Sequence, residues 1–326
     1  MTLKSLLLSS LMLLSAGTAW ADVEINETNF PDEKFRSYLL SQDYGWDEKL
    51  TDSEIAGLRM MSVWSKGIQS LQGIEYFTAL LKLDCYDNQL TSLDVSKNTA
   101  LIELDCYKNQ LTSLDVSGCT ALTGLNCSSN QLTSLDVSKN TALKTLYCFD
   151  NQLTSLDVSK NTALEYLFCY WNQLTSLDVS KNTALEYLYC SDNQLTSLDV
   201  SNTALTNLYC YKNKIQGAAM DALVESLPTV VSFNGMQVVY YENEQNVMTT
   251  TQVAAAKTKG WIPYYTENGL IWKEYVGVDP STGVNNIEAT DADDSAPWYT
   301  INGDKFAEKP TAPGIYIHGG KKVLVK

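Results

Sequence analysis

"LEYLFCYWNQLTSLDVSKNTA", Leu164 to Ala184, is one copy of a unit that recurs along the middle of the chain. Leu80, Leu101, Leu122, Leu143, Leu164 and Leu185 follow one another at intervals of 21 residues, and Leu205 comes after 20 because "DVSNTA" has lost one residue. Periodicity of this length marks a solenoid, in which each copy covers the apolar edge of the one before it. Within a copy the letters run L-x-x-L-x-C-x-x-N-x-L-x-x-L-D-V-S, as in Leu101, Leu104, Cys106, Asn109, Leu111 and Leu114. Alternation through Leu-x-Cys predicts a short strand with one buried face, and stacked copies then form a parallel sheet. The second half of the unit repeats almost letter for letter while the first half varies. A scaffold accounts for the fixed letters, so function is sought in the variable ones.

The pattern resembles the leucine-rich repeat, with cysteine at its third apolar position, and seven copies cover residues 80–216. A divergent copy precedes them: Leu58, Met61, Val63 and Ile68 hold the same offsets, with Lys66 where Asn would stand. The fold class expected over 58–216 is a leucine-rich-repeat solenoid, a curved parallel β-sheet with a small helical cap before it and an α/β cap after it. Asn88, Asn109, Asn130, Asn151, Asn172, Asn193 and Asn213 stand where the chain turns away from the strand. There an amide can satisfy backbone groups that no strand neighbour reaches, which predicts a structural ladder.

Cys85, Cys106, Cys127, Cys148, Cys169, Cys190 and Cys210 form a second ladder. Parallel neighbours in register lie roughly 4.8 Å apart with side chains pointing the same way. A disulfide needs Cβ atoms at about 3.5–4.5 Å with converging geometry, so buried free thiols acting as small hydrophobes are predicted. Cysteine ladders of this kind are a feature of some internalin-like adhesins, which the solenoid resembles. The ladder has neither the C-x-x-C spacing of a redox site nor the clustered His and Cys of a zinc site. Cys119, at the position of Asn98 in the preceding copy, is predicted to be an exposed substitution.

The formal net charge of −15 argues against a nucleic-acid partner, since phosphate neutralisation needs clustered Lys and Arg. A single histidine, His318, in 326 residues counts against the many acid–base, triad and zinc chemistries that rely on that side chain. Residues 1–21 read as a secretory signal, with Lys4, an apolar run from Leu6 to Leu14, and Ala19-Trp20-Ala21 fitting a small-x-small cleavage site. The expected location is outside the cell or on its outer surface, with cleavage near Ala21. No later segment approaches the roughly 18 consecutive apolar residues of a membrane span, so no membrane insertion is expected.

Residues 22–57 read as a helical cap: a helix from Pro31, a loop, and a second short helix. The spacing of Asp43, Gly45, Asp47, Leu50, Thr51 and Glu54 resembles an EF-hand calcium loop, making Asp43, Asp47 and Glu54 candidate metal ligands. Gly45 in place of an oxygen ligand and Glu48 in place of the turn glycine depart from that pattern, and a cap without a cofactor is expected. "NFPDEKFRSYL" and "GIEYFTAL" resemble the opening of secreted leucine-rich-repeat proteins of anaerobes that use type IX secretion. Residues 217–275 read as an α/β cap, with helices in "AAMDALVESL" and in "TTTQVAAAKTKG" up to Gly260, a strand in "MQVVYY", and a hairpin turning at Asn268-Gly269. The polar, acidic stretch 276–297 is read as a linker. Residues 298–326 carry three strand-like pieces separated by Asn-Gly, Pro-Gly and Gly-Gly. They resemble the end of type IX sorting domains, with Asn302-Gly303, Pro313-Gly314-Ile315-Tyr316 and Lys321-Lys322 matching; a plain β tail is the alternative, and His318 is incidental to it.

In a repeat strand the apolar positions point inward, so positions three, five, seven and eight are predicted to face solvent on the inner curve. In the fourth to seventh copies these include Tyr147, Phe149, Asp150, Tyr166, Phe168, Tyr170, Trp171, Tyr187, Tyr189, Asp192, Tyr209 and Tyr211. Stacked aromatic rows favour a sheet by themselves. An exposed patch of them also carries an aggregation hazard, and Tyr and Trp supply rigid contact area with a polar handle. Leucine-rich-repeat proteins typically bind through this face. The reading adopted is a non-enzymatic, adhesin-like protein that recognises a protein partner with these aromatics, Asp150 and Asp192 lying on the rim. The alternative is a glycan partner, with sugar rings stacked on the aromatics and their hydroxyls bonded by flanking Asp and Asn, although flat rows form no closed pocket. An enzyme using paired carboxylates such as Asp84 and Asp105, roughly 5 Å apart on adjacent strands, is a third reading, weakened by the lack of distinct environments to separate their pKa values.

Overall fold

The computed structural model describes residues 22–230, 234–240, 244–267, 271–278, 298–300, 305–306, 314–318 and 321–325. Residues 1–21, expected to be a leader, the expected turn at Asn268-Gly269 and the rest of the expected linker after Val278 lie outside these residues. The chain opens with β1 (Val23–Glu24), α1 (Glu33–Leu40), β2 (Lys49–Leu50) and α2 (Asp52–Gly57), and β1 pairs antiparallel with β2. One oxygen of Asp32 accepts the first free N–H groups of α1, from Lys34 and Phe35, both at 2.9 Å. Its other oxygen accepts from Gln69 N at 2.7 Å and Ser70 N at 3.1 Å, so one carboxylate both starts the helix and ties the cap to the first turn of the solenoid. Phe30, Phe35 and Leu39 are buried beneath α1 with Phe77 of that turn.

The repeats supply one three-residue strand each: β3 (Met60–Ser62), β4 (Lys82–Asp84), β5 (Glu103–Asp105), β6 (Gly124–Asn126), β7 (Thr145–Tyr147), β8 (Tyr166–Phe168), β9 (Tyr187–Tyr189) and β10 (Asn207–Tyr209). All pair in parallel and in register, Leu83 against Leu104, Leu104 against Leu125, and so on to Leu208. The parallel solenoid expected from the 21-residue period is the observed architecture. The divergent copy belongs to it, since Met61 pairs with Leu83. Each copy turns its Leu, Cys and Val side chains into one continuous core; in the fourth these are Leu143, Leu146, Cys148, Leu153, Leu156 and Val158.

The asparagine ladder holds the turns that follow the strands. Asn151 donates through Nδ2 to Cys127 O and Cys148 O at 3.1 and 3.2 Å, while its Oδ1 accepts from Leu132 N at 2.9 Å. Each amide thus bridges its own turn to the preceding one. Sequence spacing does not reveal that Asn246 takes the next rung: its Nδ2 donates to Cys210 O and Val238 O, both at 2.8 Å, and its Oδ1 accepts from Ile215 N. A second amide ladder, also unforeseen, runs through Asn98, Asn140, Asn161 and Asn182. Asn140 Nδ2, for example, donates to Val116 O and Cys119 O at 2.9 Å.

Cys119 occupies a slot in that second ladder and is fully buried, which corrects the expectation of an exposed substitution. Its Sγ approaches Val95 O at 3.5 Å and Asn98 O at 3.6 Å, the carbonyls an asparagine amide would reach there. All eight cysteines are buried free thiols. Burial pushes the ladder thiols upward, Cys127 and Cys169 to about 12.

Past Gln216 the same sheet continues. α3 (Ala218–Ser226) leads to β11 (Asn234–Gln237), and α4 (Thr250–Thr258), ended at Gly260 with φ 86°, leads to β12 (Trp261–Glu267). Both strands run parallel to β10, and β13 (Ile271–Glu274) then closes antiparallel on β12, completing an eleven-stranded sheet. The expected strand "MQVVYY" therefore starts earlier and stops at Gln237, because Val238 O is taken by Asn246 as the chain turns. Val278, the last described residue before Trp298 and within the stretch read as a linker, bridges to Thr249. Among the described residues the tail has four strands where the sequence suggests three: β14 (Trp298–Thr300), β15 (Lys305–Phe306), β16 (Gly314–His318) and β17 (Lys321–Val325), antiparallel in the order β15-β14-β16-β17. β16 and β17 pair over five residues, and the extra strand is the short Lys305–Phe306 piece on the far side of β14.

Candidate functional site

Because neighbouring strands are in register, each variable position becomes a row running along the solenoid. Position five forms a stack: Tyr147 on Phe168 at 4.6 Å, Phe168 on Tyr189 at 4.2 Å and Tyr189 on Tyr209 at 4.2 Å, with interplanar angles of 18°, 6° and 5°. Position three adds Tyr166 on Tyr187 at 4.8 Å, and position seven Phe149 on Tyr170 at 4.4 Å. The ring spacing is close to the strand spacing, so parallel pairing by itself brings the faces together. These candidate residues are consequently half-buried rather than fully exposed. Burial raises the Tyr170 and Tyr189 phenols to about 12.

Position seven departs further from expectation. Ser128 and Ser191 stand at positions expected to face solvent but are 0% and 2% exposed. The rings of Tyr107 and Phe149, one strand away on either side of Ser128, lean toward each other to 6.2 Å and cover it. The same row extends beyond the candidates at both ends, through Trp64 stacked on Tyr86 at 5.6 Å and Tyr211 on Tyr240 at 5.2 Å. Trp64 is legible in the sequence, six residues after Leu58 as Tyr86 is after Leu80. Tyr240 follows an irregular spacing and carries no such signal.

Position eight is a left-handed backbone site in every copy, from φ 56° at Asp87 through 54° at Asp150, 52° at Trp171 and 50° at Asp192 to 50° at Lys212. Asp, Ser and Lys are short or flexible enough for such a place; an indole is the outlier. Trp171 is the single candidate aromatic that stands well clear of the surface, 53% exposed, with its ring edge-on to Tyr170 at 5.2 Å. The rim carboxylates have local partners. Asp150 accepts from Ser129 Oγ at 2.7 Å, and Asp192 lies 3.6 Å from Lys212 Nζ, with burial raising its pKa. Lys212 also sits over the Tyr240 ring at 4.2 Å.

The earlier copies present charge on the same face. Lys82 bridges Glu103 at 2.9 Å and Asp84 at 3.7 Å, and Lys108 meets Asp87 at 2.7 Å. Asp84 and Asp105, the carboxylates of the enzyme reading, are in distinct surroundings after all: Asp84 accepts from Ser62 Oγ and lies near Lys82, while burial raises Asp105.

The candidate calcium ligands are not gathered into a cage. Glu54 forms a capping box with Thr51, its Oε2 accepting from Thr51 N and Thr51 Oγ1 at 2.8 Å, and Asp47 accepts weakly from Lys49 N at 3.4 Å. Asp43 lies in the turn after α1. Gly45 stands where an added Cβ would lie 2.1 Å from Leu39 O, so close approach to the helix end accounts for that glycine. Glu48 adopts φ 64°, the backbone form the missing glycine would supply. Among the described residues no group of three or more His, Cys, Asp or Glu side chains is placed to hold a metal ion. Nor is any helix among them long and apolar enough to cross a membrane.

The family described as leucine-rich repeats in two copies matches residues 99–140. No curated protein matches the chain. Among solved structures, the functional domain of InlJ from Listeria monocytogenes, described as including a cysteine ladder, is 30% identical over 70% of this chain and 61% of that one, with a TM-score of 0.48. The chain therefore spans 61% of the length of that relative. Internalin C2 from the same bacterium is 24% identical over 62% of this chain and 93% of its own, with a TM-score of 0.55. Internalin InlF, also from that bacterium, is 17% identical over 76% of this chain and 99% of its own, at a TM-score of 0.46. With the in-register sheet and both amide ladders, the likeness to internalin C2 establishes the fold as a leucine-rich-repeat solenoid.

Proposed function

We propose that this protein is a non-enzymatic binding protein, exported or held on the outer cell surface, that recognises a protein partner with the aromatic end of its repeat sheet. The observation that carries this reading is the concentration of aromatic side chains on the solvent face of the fourth to seventh copies, with Trp171 projecting from a left-handed position. Scaffold requirements do not call for an indole there, and an amphipathic ring at the centre of a broad patch is a common binding hot spot. Tyr147, Phe149, Tyr166, Phe168, Tyr170, Trp171, Tyr187, Tyr189, Tyr209 and Tyr211 supply the contact area, and Asp150 and Asp192 the rim.

The stacking favours a protein over a glycan. A sugar needs an open ring face, yet Phe168 and Tyr189 have both faces covered by neighbours at 4.2–4.6 Å. What the rows present outward is ring edges and phenol hydroxyls, which suit a mixed polypeptide surface. Binding to a mixed panel of extracellular proteins and glycans, compared with a Tyr166→Ala, Trp171→Ala, Tyr189→Ala variant of unchanged melting, tests the reading. Protein binding lost in the variant supports it. Binding that survives moves the site to a cap or to the opposite side, and binding confined to glycans replaces the partner class.

A further inference from the structure

The third copy interrupts the rows. At positions three, five and eight it carries Gly124, Asn126 and Ser129, and Ser128 lies covered beneath Tyr107 and Phe149. To one side the position-five stack ends, and Tyr147, covered by Phe168 on one face, turns its other face toward Asn126, its partner on β6. To the other side stand Asp105 and Glu103, paired with Asn126 and Gly124 across β5 and β6. A notch thus crosses the sheet between an aromatic wall and an acidic wall.

We propose that this notch receives a lysine or arginine side chain of the protein partner, held between the Tyr147 ring face and the Asp105 carboxylate. The inference rests on the proposed function and adds the chemistry of the group recognised. Tyr147 and Asp105 are two strands apart, roughly 9.6 Å at the usual parallel spacing. A cation within about 6 Å of a ring centroid and about 3 Å from a carboxylate oxygen fills that width. The short Asn126 side chain, bonded to Asp105, forms the floor between the two walls, and beside it Gly124 adds room, since a Cβ there would meet only Glu103 Cγ, at 3.7 Å.

The charges are arranged for a visitor. Lys82 is taken up by Glu103 and Asp84, and Lys108 by Asp87; among the described residues no Lys or Arg forms an ion pair with Asp105. Asp105 accepts from Tyr107 N at 3.0 Å, and burial is the main influence raising its pKa, against the opposing pull of that bond, the Asn126 side chain and the more distant Lys82. It is a partly desolvated carboxylate whose missing counterion an incoming cation would supply. The net charge of −15 draws a basic surface toward the face as a whole.

The test uses acetyl-Gly-Arg-Gly-amide and its citrulline counterpart, equal in shape and differing in charge, titrated into the protein with tyrosine ring resonances as the readout. Saturable binding of the arginine peptide with shifts at Tyr147, and about tenfold weaker binding of the citrulline peptide, is expected. Asp105→Asn should weaken the arginine peptide by a similar factor, and Asn126→Tyr, which sets a ring between the two walls and continues the position-five stack, should abolish binding with the native circular dichroism retained. Equal binding of the two peptides, no binding of either, or indifference to both substitutions overturns the notch. Loss of a protein partner in the Tyr166, Trp171, Tyr189 variant alongside indifference to Asp105→Asn would overturn the notch and leave the aromatic-face reading standing.

Discussion

Trp171 shows how one residue separates fold from function. Its left-handed φ of 52° costs a bulky L-residue on the order of 1 kcal/mol, which Asn at the same place largely avoids. Trp171→Asn is therefore expected to leave stability unchanged or raise it by up to about 1 kcal/mol in urea unfolding, while weakening partner binding. A clear loss of stability would make the indole structural. Asn151 is the opposite case. Removing its amide strands Leu132 N and takes one of two amide donors from Cys127 O and Cys148 O, which keep Asn130 and Asn172, so Asn151→Ala should cost about 2 kcal/mol by the same measurement. Cys119 fills a slot that asparagine fills in other copies, with sulfur contacts of 3.5 and 3.6 Å where Asn140 makes amide hydrogen bonds of 2.9 Å. Cys119→Asn is expected to stabilise by about 1 kcal/mol, and a destabilised variant would mean that the slot has closed around the thiol.

At the scale of the element, strands and turns carry opposite pH signs. On the turns, Asp115, Asp136 and Asp157 each accept a serine N–H two residues on, at 2.8 Å; the same serine's hydroxyl, the larger influence at Asp115, and this N–H hold their pKa below the usual carboxylate range. Their contribution is present above the unfolded-state pKa and disappears as pH falls through the lower folded value. In the strand, burial raises Asp105, whose folded state prefers the proton; the stability linked to it is complete below the unfolded pKa and lost as pH rises through the folded one. Asp105→Asn should therefore melt higher than the parent at neutral pH, with the difference vanishing in strong acid. A difference that grew on acidification would reverse the assignment. The strands themselves were legible because Leu-x-Cys repeats with a fixed period, and so was the first amide ladder, where Asn recurs at one position. The burial of Ser128 was not, because it comes from rings on adjacent strands leaning across it, a property of neighbours and not of the repeat. The left-handed turn at position eight was masked by its residues: Asp, Lys, Ser and Trp offer no glycine to mark it.

Across the whole molecule, stability is carried by contacts between adjacent copies, from the cap tied on through Asp32 to the antiparallel closure by β13. Deleting one full copy, Leu143 to Ala163, joins Ala142 to Leu164 in unbroken register. The shortened chain is expected to fold cooperatively with its unfolding midpoint lowered, whereas a deletion of half that length should abolish native circular dichroism. A half-length deletion that folded as well would show that register does not control assembly. The overall architecture was readable because the period acts at this scale; the extension through β11, β12 and Asn246 was not, because helices α3 and α4 lengthen those turns and break the count. The thiol column has a consequence that concerns time more than structure. Once stacked, the cysteines are sheltered and hold their protons. Before stacking, the same thiols lie at regular intervals on an open chain, free to join in wrong pairs that lock the copies out of order. Folding must outrun oxidation, so refolding from denaturant should yield native protein when a reductant is present and cross-linked, misassembled chains when an oxidant is supplied first.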